Sequence, residues 1–200
     1  EAALMCARLS TAARVTAFAR APGAGWEDHP FGTVMMVCAV RLAAFRGHLA
    51  DAEALMARAR RCASSRRLRD LTEALDYMVL NRSAAAPSIV TSKQDRALDR
   101  PAPADDLLER GIVFLTAYGA HAAGYRADAA RAIFRVGGDA GLTGCTLIDR
   151  ALGLEVLLVA ALTDSDQLAA DAWMQELLNL EGGGVCGPSV DRALARYALA

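Results

Sequence analysis

Apolar residues recur at three- and four-residue spacing along most of the chain, the period of helices that bury one face. Residues 4–20 are predicted helical, up to the Ala-Pro-Gly-Ala-Gly stop at 21–25. Residues 31–46 carry Val34, Met35, Val37, Cys38, Leu42 and Phe45, a broad apolar face, and Gly47-His48 breaks it. Leu49, Ala52, Leu55, Met56 and Ala59 mark the next helix, to Cys62. Ser64-Ser65 offers a cap for a helix that ends near Leu80, with Leu68, Leu71, Leu75 and Met78 on one face. A weaker pattern over 87–98 predicts a short helix. Asp105-Asp106 opens another that runs to His121, and a further one spans 126–136. A helix over 146–162 follows. Asp164-Ser-Asp starts the next, with Leu168, Ala169, Ala172, Trp173 and Leu177 predicted inward. Glycines at 182–184 and Gly187-Pro188 end it, and Ser189 is predicted to cap a last helix from Val190.

One phrase occurs twice. Gly47-His-Leu-Ala-Asp-Ala-Glu-Ala-Leu-Met56 returns as Gly124-Tyr-Arg-Ala-Asp-Ala-Ala-Arg-Ala-Ile133. Both copies fall at the turn and second helix of a helical hairpin. About ten helices in about five pairs, near 40 residues per pair, match the size of helical-repeat units. The interval between the copies is then two units. A third copy near Ala169 and Trp173 is worn, and Ala172 offers a rival register.

Composition agrees with an all-helical chain. Hydrophobic residues make up 54% and mean hydropathy is +0.21, which excludes disorder. Ala, Leu and Arg, all good helix formers, are abundant, while β-branched and aromatic residues are sparse. The net charge of −1 gives no general attraction to nucleic acid or anionic membrane. The longest apolar run, residues 151–162, is interrupted by Glu155 and is far shorter than the roughly 20 residues a bilayer span needs. Five cysteines, none in a C-x-x-C pair, read as buried thiols and point to a reducing cytoplasm. The chain opens at Glu1 with neither an initiator Met nor a leader pattern, as expected of a piece cut from a longer protein.

The phrase resembles the tetratricopeptide repeat. In that family a Gly opens the turn, an Ala follows five residues on, a bulky apolar residue four later and a small one three later. Gly47, Ala52, Met56 and Ala59 fit, as do Gly124, Ala129 and Ile133, with Val136 a poorer last match. The segment from Leu71 to Leu98 departs from the pattern. The resemblance implies one domain over 1–200, a right-handed α-solenoid of stacked antiparallel helix pairs. The long units and the Ala/Arg-rich style are similar to the solenoid of large ATP-dependent LuxR-type transcription regulators, the maltose-regulator class. That likeness implies a non-catalytic sensor or oligomerisation segment that binds a small inducer or a protein partner. ATP would belong to a module upstream of these residues and DNA to a helix-turn-helix module downstream. No cofactor is expected within the segment, and self-association stays open. The alternative is a stand-alone scaffold that docks a partner peptide.

Catalytic chemistry has no footing in the residues. His29, His48 and His121 are scattered and lack ligand spacing for zinc. Asp105-Asp106 and Asp164-Ser-Asp166 stand before helical runs and read as N-caps rather than acid–base pairs. No serine sits in a nucleophile elbow. The run Val136-Gly-Gly-Asp-Ala-Gly-Leu-Thr-Gly144 lacks the spacing and the lysine of a phosphate loop and reads as a connection with helix C-caps. Six arginines fall in residues 58–69, with no interleaved aromatics for base stacking, and read as a solvated turn. The expected functional surface is the concave face, where the first helix of each matched pair places Val37, Arg41 and Phe45 from one unit and Phe114, Tyr118 and His121 from another. An Arg and polar-tipped aromatics suit a peptide or small ligand.

Overall fold

The computed structural model describes residues 9–20, 29, 31–83, 98–100, 106–181 and 187–199. The described residues are all-helical: α1 (Leu9–Arg20), α2 (Gly32–Phe45), α3 (Leu49–Cys62), α4 (Arg66–Ser83), α5 (Leu107–Ala122), α6 (Arg126–Gly137), α7 (Leu147–Thr163), α8 (Gln167–Glu181) and α9 (Gly187–Tyr197). Most of the short helix expected over 87–98 lies outside the described residues. Short polar caps start several helices. The Asp106 carboxylate accepts from the Glu109 N–H at 3.0 Å, Ser65 from Leu68 at 3.2 Å and Asp166 from Ala169 at 3.0 Å, each answering a donor that the first helical turn leaves open.

Three hairpins, α2–α3, α5–α6 and α7–α8, are joined by one and the same turn. The N–H of His48 donates to the Ala43 carbonyl, that of Tyr125 to Ala120 and that of Asp166 to Ala161, each at 2.9 Å. Such a turn needs a residue at positive φ, and the three are Gly47 (79°), Gly124 (96°) and Ser165 (58°). Five residues past each stands an alanine with no exposed surface: Ala52, Ala129 and Ala170. Four further on come the buried Met56, Ile133 and Met174. The alanines let paired backbones approach, and the longer side chains fill the space beyond.

The register of α8 differs from the expectation. Leu168 is 84% exposed and Ala172 is exposed, while Ala170, Met174 and Leu177 are buried; Ala169 and Trp173 are partly buried. The Asp166 cap and the Ser165 turn set the helix phase, and neither is visible as an apolar period. The last helix also starts earlier than expected, at Gly187. Ser189 sits within its first turn, buried, and accepts from Arg192 at 3.1 Å.

Most helices pack mainly on their chain neighbours, while α9 packs more on α7 than on α8. In addition, α4 lies beside α5 in the same direction, with Arg67 against Asp106, Leu71 against Gly111 and Tyr77 against Gly119. A Cβ at Gly119 would stand 2.6 Å from Tyr77 Cδ1 and 3.0 Å from Met78 Cα, so only a bare Cα allows this approach. At Gly153 of α7 a Cβ would stand 2.6 Å from Leu142 Cδ1, 3.0 Å from Ile133 on α6 and 3.3 Å from Phe114 on α5. The helices α2, α4, α5, α7 and α9 thus form an inner layer, while α3, α6 and α8 lie outside it as second members of their pairs. The inner layer doubles back: α2 reaches α7 through an Arg41–Asp149 ion pair and α9 through the Phe45 ring, 5.9 Å from the Arg192 guanidinium.

Candidate functional site

The expected groove residues separate into two places. Arg41 and Phe114 line a narrow crevice of about 40 Å³ with Arg110, Cys145 and Asp149. There Asp149 also accepts from the Thr146 hydroxyl at 2.7 Å, so the Arg41–Asp149 pair is tied to the start of α7. Phe45 and Phe114 are each 2% exposed and serve as core, and Val37 is likewise buried. Tyr118 and His121 border a second and larger cavity of about 620 Å³. The Tyr118 and His121 rings stack, with centroids 6.4 Å apart.

That cavity is built where the inner helices end. Asn81 and Arg82 come from the last turn of α4, Tyr118, His121 and Ala122 from α5, and Glu155, Val159, Leu162 and Thr163 from α7. Arg192 and Arg196 come from α9, and Arg126 opens α6. Arg82 donates to the Ala44 carbonyl at 2.7 Å and lies 5.5 Å from the Tyr118 centroid, so its guanidinium closes the end of α2 while its flat face covers the phenol. Arg192 grips Glu155 with two bonds, Nε to Oε1 at 2.9 Å and Nη2 to Oε2 at 2.7 Å. Arg196 stands 3.6 Å from the same carboxylate. Arg126 donates to Thr163 Oγ1 at 3.0 Å.

The surroundings shift several groups. Burial, and then the charge of Arg196, lowers the His121 imidazole to about 4, and its Nδ1 has no hydrogen-bond partner among the described residues. Burial raises the Tyr118 phenol, and the Glu155 charge adds to it. Burial works to lower the Arg192 guanidinium, but the bonds and charge of Glu155 outweigh it and raise its pKa. In the smaller crevice, burial and then Asp149 push the Cys145 thiol up to about 11, so it stays protonated and a poor nucleophile near neutrality.

The remaining candidates have structural partners. In the arginine-rich segment Arg60 pairs with Asp76, and Arg67 with Asp106 and Glu109. The glycine-rich connection is organised by Asp139, which accepts from the Thr143 N–H at 2.9 Å, and by Gly138, which ends α6 at φ 82°. It inserts the fully buried Leu142 against Gly137 and Gly153. Among the described residues no group of three or more His, Cys, Asp or Glu could hold a metal ion, and no helix is long and apolar enough to cross a membrane.

Reading the sequence missed Arg82, Arg126, Glu155, Arg192 and Arg196. Glu155 alone carried a signal, as the one charge inside the apolar run of α7. Such a residue is either misplaced or paired, and here it is 3% exposed and held by arginine. The arginines came from helices whose facing partners depend on how the layers stack. Comparison with family models, with curated proteins and with solved structures finds no significant match to this chain.

Proposed function

We propose that the chain is a non-catalytic binding segment of a bacterial transcription regulator of the ATP-dependent LuxR type, its helix pairs arranged as tetratricopeptide-like units of a right-handed solenoid. The observation that carries a binding role is the cavity of about 620 Å³ among the ends of α4, α5, α7 and α9. Ligand sites usually measure about 300–1,000 Å³ and combine apolar walls with a few oriented polar groups. Here Val159, Leu162 and Leu199 supply apolar wall, and Tyr118, His121 and the arginines supply the polar groups. The three like turns support the repeat reading. Because four helices meet at the cavity, a ligand bound there favours one arrangement of the stack, which is how a sensor segment shifts the populations of a larger protein. ATP hydrolysis and DNA contact belong, in this reading, to flanking modules in the cytoplasm.

The complete gene tests the regulator assignment. An ATPase module upstream and a helix-turn-helix module downstream are expected. A gene with neither overturns the assignment and leaves a stand-alone scaffold.

A further inference from the structure

Resting on that binding role, we propose that the large cavity takes a small organic anion, a molecule carrying carboxylate or phosphate groups on a partly apolar body. Four guanidinium groups line the space, from Arg82, Arg126, Arg192 and Arg196, against one carboxylate, Glu155. The formal surplus is three positive charges, four less one, with His121 neutral. Helix ends temper this. The C-termini of α4, α5, α7 and α9 lie at the cavity, each contributing about half a negative charge, and the N-terminus of α6 contributes about half a positive one. Together these ends offset about half of the surplus, and the balance remains positive. A concave site of one sign concentrates ions of the other.

The arginines differ in how fully they are engaged. Arg192 is committed to Glu155 by two bonds, and Arg82 to the end of α2 and the Tyr118 face. Among the described residues Arg126 holds only a neutral hydroxyl, on Thr163, and Arg196 is 3.6 Å from a carboxylate that Arg192 already grips with two bonds. These two guanidinium groups keep donors for an incoming anion, and the planar fork of Arg matches a carboxylate or phosphate with two parallel bonds. His121 lines the same cavity, and the charges of both Arg196 and Arg126 act on its imidazole. Glu155 is the internal counter-ion of the site: it keeps Arg192 aligned and leaves Arg126 and Arg196 for the ligand. The volume suits a metabolite-sized molecule, and Val159, Leu162 and Leu199 offer its body an apolar wall.

The test is a titration of the 200-residue chain at constant ionic strength, followed by the His121 imidazole signal in NMR and by thermal melting. The probes are pyrophosphate, citrate and, as an uncharged control, glycerol. Saturable movement of the His121 signal with pyrophosphate or citrate, and none with glycerol, is expected. Which anion acts at lower concentration distinguishes phosphate from carboxylate. Arg126→Gln and Arg196→Gln, both at the cavity rim, are each expected to weaken binding about tenfold while the melting temperature without ligand stays near that of the parent chain. Equal responses in parent and variants mean that Arg126 and Arg196 do not hold the anion and overturn the inference. A response to glycerol but to neither anion overturns the anionic class and leaves the binding role standing. No movement of His121 with any probe overturns the inference, while the regulator assignment is still judged by its flanking modules.

Discussion

Two side chains of the cavity carry measurable consequences. His121 holds its proton only below about pH 4 in the folded chain, whereas an exposed histidine binds it near 6.5. Between those values the unfolded chain binds a proton that the folded chain does not, so stability falls as pH falls from 6.5 to 4, by up to about 1.4 kcal/mol per pH unit. Above 6.5 the group is neutral in both states and contributes no slope. Urea unfolding at pH 5 and pH 7 should show this difference in the parent chain and a smaller one in His121→Gln. Glu155 is the opposite case, a buried charge with its partners in place. Glu155→Gln leaves the Arg192 guanidinium without its counter-charge and should cost about 3 kcal/mol, while the double variant Glu155→Gln with Arg192→Met should cost less than that single change. A cycle in which the double variant costs as much as the two single changes summed would show that the pair is not coupled. His121 could be placed on the inner helix of its hairpin by counting from Gly124, and it borders the large cavity. The arginines around it were not, because each is an ordinary exposed-face residue of its own helix until the neighbouring helices are placed.

At the scale of elements, the turn and the close approach of helices decide what can be changed. Gly47 and Gly124 were readable because glycine marks positive φ. Ser165 occupies the same turn with a side chain that disfavours it, so the third copy read as worn and α8 was read out of phase. Ser165→Gly should therefore raise stability by about 0.5–1 kcal/mol, measured by urea unfolding, since the left-handed conformation costs an L-residue about that much or more. Gly119→Ala should do the reverse. Its new methyl would meet the Tyr77 ring and the Met78 backbone, and overpacking of this kind costs about 1–3 kcal/mol. A neutral result at Gly119 would mean that α4 and α5 can separate freely. Helix starts at Ser65, Asp106 and Asp166 were legible from residue type alone, because a short polar side chain before an apolar run has one favourable use there.

At the scale of the whole molecule, most packing joins neighbours in the chain, and periodicity speaks to that. The contacts of α2 with α7 and α9 join residues far apart in sequence, and no local pattern encodes them. This is why Phe45 and Phe114, expected on an accessible face, are core. It is also why Arg41, expected to meet a ligand, meets Asp149, 108 residues away. That clasp has a kinetic consequence. Helices within a hairpin can zip together early, since their turns are short, but α2 cannot meet α7 until everything between has taken shape. The Arg41–Asp149 pair should thus form after the rate-limiting step of folding. Arg41→Gln strands the buried Asp149 carboxylate at a cost of about 3 kcal/mol. That loss should appear as unfolding roughly 100-fold faster, with the refolding rate nearly unchanged in stopped-flow measurements. Slower refolding would instead place the clasp in the nucleus. If the clasp is late, it governs how long the native state lasts rather than how quickly it is reached, and resistance to proteolysis over hours would rest on one ion pair between the second helix and the seventh.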